Sequence, residues 1–158
     1  MDAKDIATAI GFILLCQMAG IIGSVFTFES IPGWYADLVK PEFSPPNWVF
    51  GPVWTILYTF MGIAAFLVYR KMPNKKVKVA LVFFGIQLAL NALWSILFFG
   101  IKSIAGALIC IILLACAIAW TIVHFRRISL PAALLMVPYL AWVLFATVLN
   151  YMILVLNT

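Results

Sequence analysis

Five stretches of this chain carry no Asp, Glu, Lys or Arg: 6–28, 43–69, 79–101, 103–125 and 128–158. Each exceeds the roughly 20 residues that cross a ~30 Å hydrocarbon layer as a helix. Backbone N–H and C=O groups cannot stay unpaired in lipid, so only helices and closed barrels span it. A barrel needs ~10-residue segments of alternating polarity, and none is visible. The sequence therefore predicts an all-α integral membrane protein, a single domain over 1–158 built as a bundle of five transmembrane helices. The expected spans are about 6–28, 47–69, 78–100, 103–123 and 130–155, with a loop at about 29–46. Composition agrees: 66% of the residues are hydrophobic and 9% charged, a balance no water-soluble domain of this length keeps in solution.

Lys and Arg set the expected orientation. Five spans put the N-terminus, the 70–78 loop and the 126–127 loop on one side, with Lys4, Arg70, Lys71, Lys75, Lys76, Lys78, Arg126 and Arg127. The other side holds Lys40 and Lys102. This asymmetry predicts a cytoplasmic N-terminus and an outward loop and C-terminus; the expected location is the cytoplasmic membrane of a prokaryote. The net charge of +5 is thus a topology signal, and no nucleic-acid partner is expected. The acidic start, Met1-Asp2-Ala3-Lys4-Asp5, and the long apolar run after it do not read as a signal peptide. Cys16, Cys110 and Cys116 fall in spans without a CxxC pair and read as buried free thiols.

The segment from Trp34 to Gly62 is the densest in shape-setting residues, with three of the six Trp and four Pro. Proline fixes φ and cannot donate, so the stretch through Pro46 reads as a shaped loop. After Pro52, Trp54, Tyr58, Met61 and Ala65 recur at helical steps. An aromatic lid thus leads into a helix with a Trp and a Tyr on one face. Trp34-Tyr35, Lys40-Pro41, Pro45-Pro46, Trp48, Phe50-Gly51-Pro52-Val53-Trp54, Tyr58 and Met61-Gly62 form one block of recognisable pattern. Asn91-Ala92-Leu93-Trp94-Ser95 with Phe98-Phe99 forms a second. Pro138-Tyr139-Leu140-Ala141-Trp142, Phe145-Ala146-Thr147 and Leu149-Asn150-Tyr151 form a third. In these blocks, in this order, the chain resembles the translocator protein family, also called tryptophan-rich sensory proteins or peripheral-type benzodiazepine receptors. The resemblance implies a five-helix bundle that binds tetrapyrroles such as protoporphyrin IX, and drug-like flat molecules, in an internal cavity. It also favours a homodimer. Carried onto this chain, the ligand-binding residues are Tyr35, Pro45, Trp54, Tyr58, Asn91, Trp94, Trp142 and Ala146. No cofactor is required; porphyrin is the expected ligand. The animal members' sterol motif ends in a basic residue after its Tyr; here Tyr151 is followed by Met152, which puts a sterol partner in doubt.

The residues themselves allow two readings at several of these positions. Gln87, Asn91 and Ser95 are spaced i, i+4, i+8, so they share a face of one helix. They either bond to other helices or offer hydrogen bonds to a ligand in an apolar cavity. Trp34, Trp48 and Trp120 fit the membrane interface, whereas Trp54 and Trp142 lie deeper, where a flat ligand could stack. Gly85 and Ala89 form a small-residue patch that suits either packing within one bundle or a dimer contact. No acidic or basic residue lies inside a span, which argues against ion-coupled transport. One histidine, His124, and no cysteine cluster argue against a dedicated metal site. No hydrolase triad or phosphate loop is present. Three functions remain. The first is a membrane receptor for tetrapyrroles. The second is an enzyme supporting light- and oxygen-dependent porphyrin breakdown, with Trp54 and Trp142 as candidate catalytic donors. The third is a porphyrin transporter.

Overall fold

The computed structural model describes residues 2–158. Its elements are α1 (Ala3–Ser30), α2 (Trp34–Asp37), α3 (Asn47–Tyr69), α4 (Lys75–Ser95), α5 (Ile104–Arg126) and α6 (Leu130–Leu156). A π-helical turn, Ile96–Gly100, carries α4 onward, so the span reads Lys75–Gly100. Five of these helices are long and apolar enough to cross a membrane. The chain is an all-α integral membrane protein.

Local sequence explains the helix starts. Asp2, Asn74, Ser103 and Ser129 each accept a hydrogen bond from a backbone N–H in the first turn that follows. These caps satisfy donors that have no partner within the helix. Pro131 sits at the start of α6, where its missing N–H costs nothing. α3 coincides with the expected span, while α1 runs past its expected limits at both ends, taking in Lys4, Asp5 and Glu29. Charge ends the lipid-embedded part of a helix, but Lys and Glu are good helix formers and do not end the helix itself. Asp5 pairs with Arg70 at 3.2 Å, tying the start of α1 to the end of α3.

α3, α4, α5 and α6 share the core. Met61, Ala64 and Val68 of α3 lie in one buried cluster with Ala80 and Phe84 of α4, Leu114 and Ile118 of α5, and Met136, Tyr139 and Val143 of α6, to which α1 adds Cys16 and Ala19. α1 is the least buried helix. It lies on the flank of the bundle and crosses from one neighbour to another. Near its start it rests on α3. Gly62 leaves so little room there that a β-carbon would come within 2.5 Å of the Ile13 Cα. Gln17 Nε2 donates to the Thr55 carbonyl at 3.0 Å and to Thr59 Oγ1 at 3.1 Å. Gly20 then lies against the Tyr58 ring. From there α1 turns to α4 and the π turn. Gly23 faces Ser95, Phe26 faces Gly100, and Ser30 Oγ donates to the Phe99 carbonyl at 2.6 Å. Small residues let helices in lipid approach closely, and here they do so along two successive faces.

Candidate functional site

The divergence of α1 from α3 leaves a cavity of about 500 Å³ at the lid end of the bundle. Phe50, Trp54, Thr55 and Tyr58 of α3 form one wall. Gly20, Gly23, Ser24 and Thr27 of α1 form the second. Trp94, Ser95, Phe98 and Phe99 line the α4 side, and Ala146, Leu149, Asn150 and Ile153 the α6 side. The Trp54 and Tyr58 rings stack at 5.5 Å and 27°.

Hydrogen bonds fix the polar groups of the wall. Tyr58 Oη donates to Asn91 Oδ1 at 2.5 Å, and Asn91 Nδ2 donates to Tyr139 Oη at 3.1 Å. Trp94 Nε1 donates to Asn150 Oδ1 at 3.1 Å, and Asn150 Nδ2 donates to the Ile104 carbonyl at 3.0 Å. No Asp, Glu, Lys, Arg or His lines the cavity. Among the described residues, no group of three or more His, Cys, Asp or Glu could hold a metal ion.

The lid is the segment around α2. Tyr35 is buried, with its ring against Phe98 at 6.2 Å and Phe99 at 5.7 Å. Burial raises the Tyr35 phenol above its ordinary pKa, so it stays neutral. Lys40 Nζ donates to the carbonyls of Tyr35 at 2.7 Å, Leu38 at 3.0 Å and Ala36 at 3.3 Å. It also stands 4.7 Å above the Tyr35 ring. This cation closes the end of α2, whose last carbonyls have no helical donors. The Asn157 amide pairs with Val39 in both directions, accepting from its N–H at 3.0 Å and donating to its C=O at 2.9 Å.

Of the residues singled out in the sequence, Tyr35, Trp54, Tyr58, Trp94 and Ala146 line the cavity. Asn91 is buried one layer behind, bonded to Tyr58 and Tyr139. Trp142 stands behind Phe50, with ring centroids 6.0 Å apart. Its Nε1 is buried and has no hydrogen-bond partner among the described residues. Pro45 is half-buried in the approach to α3 and is not part of the wall. Sequence reasoning did not single out the α1 wall, Phe98, Phe99 or Asn150 as cavity residues. The small residues Gly20, Gly23 and Ser24 were the available signal for α1.

Five spanning helices around an aromatic, uncharged, lid-covered cavity define an integral membrane protein of the binding or sensory class. The TspO/MBR family model matches residues 12–156, and the chain belongs to the TspO/MBR family. It is 44% identical to the tryptophan-rich protein TspO of Archaeoglobus fulgidus over 97% of this chain and 99% of the relative. It is 46% identical to that of Chlorobaculum tepidum, over 98% of each chain. It is also 41% identical to the human translocator protein, over 92% of this chain and 87% of the relative.

Proposed function

We propose that the cavity binds tetrapyrroles of the protoporphyrin kind and similar flat amphipathic molecules, and that the protein is a membrane receptor for them. The observation that carries this reading is the Trp54–Tyr58 stack on the wall of an uncharged cavity of about 500 Å³. Flat π-faces favour flat aromatic ligands, and the volume falls within the range of small-molecule sites. Tyr35 covers the ligand from the lid. Trp54, Tyr58 and Trp94 supply ring contact, Ala146 leaves room, and Asn91 holds Tyr58 in place. The Lys and Arg asymmetry supports a lid that faces away from the cytoplasm.

The aromatic wall also favours a second reading, an enzyme that supports light-dependent porphyrin breakdown with Trp54 as the electron donor nearest the ligand. One experiment addresses both. Purified protein is titrated with protoporphyrin IX in darkness and then illuminated in air. Saturable quenching of Trp fluorescence in darkness supports the receptor, and its absence overturns it. A new absorbing product that forms in wild type, and not in Trp54→Phe, supports the enzyme. Porphyrin flux across liposomes carrying the protein, and not across empty ones, would instead make it a transporter.

A further inference from the structure

We infer that the cavity is filled sideways from the bilayer, through a slot between α1 and α3, by a ligand that is uncharged over the part the protein encloses. This rests on the binding reading above and adds the route and the chemical class of ligand.

The slot follows from how α1 crosses the bundle. α1 and α3 touch where Ile13 meets Gly62, where Gln17 bonds to Thr55 and Thr59, and where Gly20 meets Tyr58. Beyond Gly20, α1 is held by α4 and the π turn instead, through Gly23, Phe26 and Ser30. Two helices in contact at one end and held apart at the other enclose a wedge. Its rim is Ile21 and Phe28 on α1, and Trp48, Gly51 and Thr55 on α3, all of which line the cavity. These rim residues also face out of the bundle: Ile21 is 61% exposed, and Phe28 and Trp48 are each 74% exposed. In a membrane, that exposure is to acyl chains. Trp48 to Thr55 spans about 10 Å at ~1.5 Å per residue, enough to admit a flat molecule edge-on.

The opposite approach is shut. At the lid, Tyr35 and Phe98 are 4% and 3% exposed. The Asn157–Val39 pair and the three bonds from Lys40 fasten that lid. The open wall therefore faces hydrocarbon and the closed one faces water. The lining suits a solute dissolved in hydrocarbon. It holds no carboxylate, amine, guanidinium or imidazole, and the donors of Gln17, Tyr58, Trp94 and Asn150 already serve protein acceptors. A carboxylate drawn inside would lose its hydration without a cation to replace it. Carboxylates on a bound ligand stay at the Phe28–Trp48 end of the slot, next to the headgroups.

The test uses the full chain in phosphatidylcholine nanodiscs, with protoporphyrin IX dimethyl ester and the free diacid as probes. Stopped-flow Trp quenching reads the rates. At position 51 an added β-carbon meets nothing within 4 Å, so Gly51→Leu narrows the slot without disturbing the bundle. It should slow entry and release of the ester together by roughly tenfold, with Kd little changed. Trp48→Ala, which widens the rim, should speed both. Asn157→Leu, which unfastens the lid, should leave both rates as in wild type. Faster exchange in Asn157→Leu with no effect of Gly51→Leu would place the route through the lid and overturn the inference. So would a Gly51→Leu protein that binds more weakly without releasing more slowly, since Gly51 would then be wall and not entrance. Roughly tenfold tighter binding of the diacid than of the ester, at equal membrane content, would overturn the uncharged-ligand assignment. Absence of saturable binding of either probe to wild type would instead bring down the receptor reading itself.

Discussion

The Tyr58 hydroxyl donates to the Asn91 side-chain oxygen at 2.5 Å, and this bond joins α3 to α4 directly beneath the cavity. Asn91 passes the connection to Tyr139 on α6 at 3.1 Å. One amide thus holds three helices and fixes the ring that Trp54 stacks upon. Replacing Asn91 with Leu leaves two buried tyrosine hydroxyls to find new partners. Asn91→Leu should cost about 1–3 kcal/mol of stability, the penalty for stranding buried polar groups. Tyr58→Phe removes one donor and should cost only about 0.6 kcal/mol, the average for such bonds in membranes. Thermal unfolding in detergent compares the two, and equal losses would show that Asn91 is not the hub.

Gly62 should tolerate nothing larger. A β-carbon there meets the Ile13 backbone, which cannot rotate away as a side chain would. Gly62→Ala should destabilise by about 1–3 kcal/mol through overpacking. Gly11→Ala, where an added β-carbon meets nothing within 4 Å, should be neutral or slightly stabilising. The midpoints of thermal unfolding check both.

Ligand contact should sort the tryptophans by position. Trp54 lines the cavity, Trp142 lies behind Phe50, and Trp120 is exposed on the lipid face of α5, beside Phe83 and His124. Trp54→Ala should weaken protoporphyrin binding by about 1–3 kcal/mol, the worth of an aromatic stack. Trp142→Ala should act less, through Phe50. Trp120→Phe should leave affinity unchanged, and Ala146→Phe should weaken it by filling space. Fluorescence titration measures all four.

Topology is directly accessible. In a cysteine-free background, Asp37→Cys in the lid and Lys75→Cys at the start of α4 should react with an impermeant thiol reagent from opposite faces. The lid position should react from outside. Reaction of both from one face would remove the five-span topology.

The homodimer is a proposal with a defined surface. Gly85 and Ala89 are both exposed, and a β-carbon on Gly85 meets nothing within 4 Å. The patch is therefore free of the monomer's own packing. Gly85→Leu with Ala89→Leu should shift the protein to monomer in detergent while preserving its thermal stability. An unchanged dimer would move the contact to another face.

The spans were legible in the sequence because lipid imposes a minimum length, and charge marks where each span leaves it. Their exact ends were less so: Lys78 and Glu29 lie in helices although they bound the apolar runs. The short helix α2 lies among Pro and Gly, and the π turn follows an unbroken apolar run, so neither announces itself. Helical spacing put Gln87, Asn91 and Ser95 on one face, yet each meets something different. Ser95 lines the cavity, and Asn91 braces two tyrosines. Gln87 is fully buried, with neither amide atom partnered among the described residues. Periodicity fixes direction around a helix but not what the neighbouring helix presents at each level. The α1 wall was hidden for the same reason. Its small residues signal close approach without saying to which helix.

The pairing of Val39 with Asn157 joins residues 118 positions apart. A ribosome that has just completed the lid, Lys40 included, has not yet made Asn157, which ties it to the end of α6. Until α6 is synthesised and inserted, the loop after α2 lacks its anchor, and Leu149 and Ile153 are missing from the cavity wall. The nascent protein therefore passes through a stage with its first four spans in place and no enclosed chamber. A complete cavity wall is in this sense a readout of finished biosynthesis.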